Sequence, residues 1–169
     1  MTDQKIEAPL GTTSMTLAGD REIVIARTFR APPRVVFDAW TKAELVKRWW
    51  APVQLGVKMV SCEADVRVGG KYRYVLRPRD NPEFAFSGEY KEISPHSRLV
   101  YTQVFEPMAG AGEMEITVTF EADDGHTRVI SHEVYPSKEV REGALASGME
   151  VGMRETMDLL DALVVELDS

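Results

Sequence analysis

The order of segments constrains this chain most: a β-branched strand, a proline-opened pair of short helices, a run of turn-separated strands, and a long amphipathic helix at the end. Candidate strands are Glu22–Phe29, Gln54–Val68, Lys71–Arg77, Phe84–Ile93, Arg98–Glu106, Met114–Glu121 and Thr127–Tyr135. Between the later ones stand Gly69-Gly70, Pro78 to Pro82, Ser94-Pro95-His96, Pro107 to Gly112 and Asp123-Asp124-Gly125, all turn chemistry. In Met114–Glu121 the apolar Met114, Ile116, Val118 and Phe120 alternate with Glu115, Thr117, Thr119 and Glu121. Such alternation describes a sheet with one buried and one wet face, hence antiparallel strands. The short connections require the same, because parallel neighbours need long crossovers.

Pro32-Pro33 suits a helix start, since proline pre-sets φ and its missing N–H would be unpaired there anyway. Val36, Phe37 and Trp40 then share one helical face, and Thr41-Lys42-Ala43-Glu44 matches a capping box for a second short helix that Pro52 ends. Ser137 is the expected N-cap of one continuous helix from about Lys138 to Leu167, with Leu145, Met149, Met153, Met157, Leu160 and Val164 in its apolar stripe. Roughly 30 residues at a 1.5 Å rise span about 45 Å, enough to cross a whole sheet. Gly148 and Gly152 each cost such a helix about 1 kcal/mol relative to Ala. Either close backbone approach or simple tolerance accounts for them. Residues 1–20 read as a flexible arm whose end can add to the first strand, and residues 21–168 as a single domain.

Composition narrows the function classes. The net charge of −7 and a pI near 5.1 disfavour nucleic acid and anionic membrane surfaces, both of which want a basic face. Cys62 is the only cysteine, so no internal disulfide forms and a reducing compartment fits. No apolar run approaches the ~20 residues of a membrane span and no secretory signal is seen, so the cytoplasm is the expected location. His96, His126 and His132 lack zinc-site spacing; His126 and His132 stand about 20 Å apart along a strand, and neither metal nor cofactor is expected. A nucleophile-elbow motif is missing, and Cys62 has no neighbouring base. Gly69-Gly70 is read as a hairpin turn rather than a phosphate loop, since no helix start follows it.

Several segments in order carry a family likeness: Arg27-Thr-Phe-Arg-Ala-Pro, Val36-Phe-Asp-Ala-Trp40, Trp49-Trp-Ala-Pro52, Asp65-Val-Arg-Val-Gly-Gly70, Ser87-Gly-Glu-Tyr90, Arg98-Leu-Val-Tyr-Thr102 and Thr127-Arg-Val129. Over about Glu22 to Leu167 the chain resembles the activator of Hsp90 ATPase homologue 1-like (AHSA1-like) family of the START/Bet v 1-like SRPBCC superfamily. The resemblance implies an α+β helix-grip fold: a curved antiparallel sheet wrapped around a long C-terminal helix, with two short helices after the first strand. It implies binding of a small hydrophobic molecule between sheet and helix. The readings from other classes are an Hsp90-type chaperone-interacting module and a cyclase or lyase acting on an aromatic or polyketide-like substrate. The eukaryotic activator makes much of its chaperone contact through a further N-terminal domain, for which residues 1–20 leave no room. Dimers are common among such domains, which implies a homodimer. Met153 follows Gly152 where many relatives carry Gly-Trp, a change that would reshape a cavity beneath this helix.

The expected cavity lining combines Trp40, Trp49, Tyr72, Tyr74, Phe86, Tyr90, Tyr101, Phe105, Ile116 and Val118 with Met149, Met153 and Met157. Ligand sites are mostly apolar, and methionine adapts to varied shapes. An ordinary filled core would use the same residue types. The last strand leaves two alternatives. If its Val129 face points inward, Glu133 is a buried carboxyl with a raised pKa; if the opposite face does, His132 takes that place. Arg27 and Arg73 fit either structural ion pairs or the recognition of a ligand carboxylate.

Overall fold

A computed structural model describes residues 6–169 of the chain. β1 (Ser14–Ala18) and β2 (Glu22–Phe29) form a hairpin, and α1 (Pro33–Thr41) and α2 (Ala43–Val46) follow. The chain then runs through a 3₁₀ turn at Val53–Leu55 into β3 (Val57–Ala64), β4 (Lys71–Pro78), β5 (Phe84–Ser94), β6 (Arg98–Phe105), β7 (Met114–Asp123) and β8 (His126–Val134). It closes with α3 (Lys138–Ala146) and α4 (Met149–Asp168). The strands make one eight-stranded sheet in the order β1-β2-β8-β7-β6-β5-β4-β3. Every neighbouring pair is antiparallel. The strands from β3 to β8 therefore form a meander that begins at the far edge and returns to β2. The two short helices carry the chain across from one side of the sheet to the other.

The sheet is open rather than closed, and it curves. The β5–β6 register shifts between Tyr90 and Glu92, and the β3–β4 register shifts between Met59 and Ser61, which bends the strands as bulges do. Gly88 lies where the backbones crowd. An added Cβ there would stand 1.9 Å from the Thr102 carbonyl oxygen, so only glycine fits.

The concave face holds the core. Ile23, Ile25 and Phe29 of β2, Ile116, Val118 and Phe120 of β7, and Val129 of β8 pack against Val36, Phe37 and Trp40 of α1 and Met157, Leu160 and Val164 of α4. A second cluster, with Val46, Ala51, Met59, Leu76 and three tyrosines, lies beneath β3–β5. α4 is tied down by charge as well as packing. Asp161, 4 % exposed, accepts from Arg30 Nη2 at 2.8 Å and from Arg27 Nη2 at 3.4 Å, while Arg27 Nη1 reaches Asp158 at 2.6 Å.

Three local expectations are corrected. The terminal helix is two helices, because Gly148 takes φ +84, a left-handed conformation that ends α3 and starts α4. α3 thereby packs over the β1–β2 turn, where buried Arg141 donates to the carbonyls of Ala18, Gly19 and Glu22. The capping box does not form: the Thr41 hydroxyl turns back to the Phe37 carbonyl at 2.9 Å inside α1, and Lys42 takes the cap position. The strand expected over 54–68 occupies only Val57–Ala64. A turn follows it, closed by the Asp65 N–H on the Lys71 carbonyl. Ser137 does cap α3, its Oγ accepting from the Val140 N–H at 3.1 Å. The end of the expected arm joins the sheet as β1, while its first five residues lie outside the described residues.

Candidate functional site

The antiparallel register decides which side chains meet. Pairing of β5 to β6, β6 to β7, β7 to β8 and β8 to β2 aligns Tyr90, Tyr101, Ile116, Glu133 and Ile23 in one row across the sheet. The neighbouring row holds Leu99, Val118, Ser131 and Ile25. Residues directly opposite share a face, so all of these point at the helix. Over this surface α4 and the segment after α2 leave a cavity of about 430 Å³, within the range of small-molecule sites.

Its walls come from four directions. Trp40 of α1 lies against Trp49, with ring centroids 4.9 Å apart, and Trp49 is fixed by its Nε1–H on the Ala39 carbonyl at 2.8 Å. Trp50 stands on Phe86 at 5.1 Å. The sheet contributes Ile25, Tyr101, Ile116, Ser131 and Glu133. α4 contributes Met149, Gly152, Met153, Thr156 and Met157, with Gly148 at the rim. Opposite α4, Pro52 and Val57 form the other side, and a Cβ on Gly152 would lie 3.8 Å from Pro52 Cγ.

Of the residues expected to line a cavity, Trp40, Trp49, Phe86, Tyr101, Ile116, Met149, Met153 and Met157 meet here. Val118 lies in the filled core, fully buried. Tyr72, Tyr74 and Tyr90 form a separate stacked cluster beside the cavity, with Tyr72 and Tyr74 centroids 4.8 Å apart. The Tyr72 hydroxyl donates to the Thr102 carbonyl at 2.7 Å. Phe105 packs on Phe84 and Phe86 at the outer end and remains 37 % exposed. Alternation alone cannot separate these groups, since all have inward parity; helix placement decides which of them are covered. Trp50, Gln103, Ser131 and Thr156 line the cavity without having been expected there. The tandem Trp49-Trp50 just before Pro52 was the available signal: α2 ends at Val46 and the chain turns there, so both indoles face inward.

The last strand's two alternatives resolve. Val129 and Ser131 are buried on the concave side and Glu133 opens into the cavity, whereas His132 faces away, its Nε2 2.6 Å from Glu22 Oε1. Burial pushes the Glu133 carboxyl up to about 7, and a hydrogen bond from the Tyr135 hydroxyl at 3.3 Å offsets only part of this. Tyr101 and Tyr135 are raised by burial and by the nearby Glu133 charge. Arg27 also touches the cavity but is committed to Asp158 and Asp161, and Arg73 pairs with Glu106 on the surface. Cys62 is pushed up to about 11 by burial, so its thiol stays protonated and unreactive. Among the described residues no group of His, Cys, Asp and Glu converges to hold a metal ion, and no helix is long and apolar enough to cross a membrane.

This geometry can be set beside known proteins. The family model described as activator of Hsp90 ATPase homolog 1-like protein matches residues 30–165. The chain belongs to that family. A crystal structure from Rhodobacter sphaeroides superposes with a TM-score of 0.82 at 22% identity, covering 91% of this chain and 99% of that one. A protein from Mycobacterium smegmatis gives 0.80 at 21% identity, covering 90% and 96%. One from Chromobacterium violaceum gives 0.71 at 27% identity, covering 85% and 96%. Among curated proteins, none matches significantly. The activator of Hsp90 ATPase homologue 1-like assignment, with these superpositions, establishes the helix-grip SRPBCC fold.

Proposed function

We propose that the protein binds a small, mostly apolar molecule in the cavity between α4 and the sheet. One observation carries this reading: a cavity of about 430 Å³ stays open in an otherwise filled core, walled by all three tryptophans of the chain and by three methionines of α4. A protein interior normally closes at crystal-like density, and a void of this size forfeits packing that a bound molecule would restore. Met149, Met153 and Met157 suit a wall that must adapt to its guest.

Native mass spectrometry of the purified protein, with thermal-shift screening of aromatic and acyl compounds, tests the reading. A hit is expected to shift the tryptophan emission and to lose its effect in Gly152→Phe, whose ring would occupy the mouth beside Pro52. The reading fails if no mass co-purifies and no compound stabilises the protein. It fails equally if hits bind Gly152→Phe as well as the wild type.

A further inference from the structure

Two charged side chains line the cavity, and their circumstances differ. The charge of Arg27 is already matched, although its buried Nε–H has no partner: Nη1 holds Asp158 at 2.6 Å and Thr13 Oγ1 at 3.2 Å, and Nη2 holds Asp161 at 3.4 Å. A ligand carboxylate would find that cation neutralised. Glu133 has no such match. The Tyr135 hydroxyl donates to it from just past the end of β8, and no cationic side chain shapes its titration. From β6 it faces the phenol of Tyr101; from β2 and β7 it faces only Ile23 and Ile116. On the α3 side, Arg141 is engaged with Glu142 and the carbonyls of Ala18, Gly19 and Glu22. α4, α1 and the turn after α2 offer Met149, Met153, Trp40 and Trp49, all without charge.

An unmatched carboxyl inside an aromatic enclosure is costly unless something positive arrives, and aromatic faces attract cations too. The geometry points to a ligand bearing a protonated amine: an apolar aromatic or alkyl body among Trp40, Trp49, Trp50 and Tyr101, with its ammonium at Glu133. This rests on the cavity reading above and names the class of molecule the cavity selects. Its pH dependence follows from the same carboxyl. With Glu133 titrating at about 7 and an alkylamine protonated throughout, affinity holds above neutrality and falls about tenfold per pH unit below it.

The test is calorimetric titration of the full chain with 4-phenylbutylamine, 4-phenylbutanol and 4-phenylbutyrate, which share one apolar body. At pH 8 the amine is expected to bind at least about tenfold tighter than the alcohol, and the acid weakest. The amine's advantage should vanish by pH 5 and in Glu133→Gln, while the alcohol's affinity stays within about twofold. An alcohol that binds as tightly as the amine, or an amine preference that survives Glu133→Gln, overturns the inference and leaves the cavity reading standing. Binding by none of the three overturns both.

Discussion

Replacing Glu133 by Gln should stabilise the protein at alkaline pH and leave it little changed in acid. Burial raises the Glu133 carboxyl from its ordinary 4.5 to about 7. The folded chain therefore holds this proton more tightly than the unfolded chain does. Stability from this group is fully present below pH 4.5 and is lost as pH rises to 7, beyond which the buried charge is a constant penalty. At about 1.36 kcal/mol per pH unit the shift corresponds to about 3 kcal/mol, and water in the cavity lowers that to about 2–3 kcal/mol. Gln keeps the size and can still accept from the Tyr135 hydroxyl, so the charge is the main thing removed. Urea unfolding of both proteins at pH 5, 6, 7 and 8 measures the difference. The variant is expected to exceed the wild type by just under about 1 kcal/mol at pH 5 and by about 2–3 kcal/mol at pH 8, the latter roughly 5–10 °C in melting temperature. Parallel stability curves across that range would refute the placement of Glu133 as an unpaired carboxyl in the cavity.

Other substitutions probe the frame that holds the cavity. Asp161→Asn should cost about 1–3 kcal/mol in urea unfolding, because it removes the buried carboxylate that Arg27 and Arg30 share while Asp158 still holds Arg27, whereas Asp158→Asn, at a carboxylate 69% exposed, should cost about 1 kcal/mol or less. Gly88→Ala should lose soluble, folded protein, since its Cβ meets the Thr102 backbone at 1.9 Å; a normal circular dichroism melt would contradict the curved β5–β6 crossing. Gly148→Ala should destabilise by about 1–2 kcal/mol through its left-handed φ of +84, while Gly152→Ala, inside α4 with only an ordinary 3.8 Å neighbour, should gain up to about 1 kcal/mol.

The strand meander and the two-helix crossover were legible because their signals are local: period-2 alternation in β7, turn residues between strands, and Pro-Pro at the start of α1. The break at Gly148 was not, because the apolar stripe runs through Leu145 and Met149 as if the helix were continuous. Gly148 and Gly152 are alike in sequence, and only the backbone shows that one is left-handed and the other helical. Thr41 illustrates the same limit, since its hydroxyl had two carbonyl and amide environments to choose between and took the one inside α1. Parity identified the inward side chains of the last strand as a set, Val129 with Ser131 and Glu133, without deciding which set was inward. The division between cavity and filled core is set by where α4 and the Trp49-Trp50 turn lie over the sheet. That is tertiary information, so Tyr72 and Val118 could not be told apart from Tyr101 and Ile116 beforehand.

Nuclear magnetic resonance of the indole N–H groups reaches the cavity directly, because Trp40, Trp49 and Trp50 all line it and the chain has 3 tryptophans. Titrating ¹⁵N-labelled protein with 4-phenylbutanol should move all three indole resonances together along one saturable curve. Indole resonances that stay fixed while the alcohol saturates another part of the protein, or while nothing binds at all, would contradict a ligand site between α4 and the sheet.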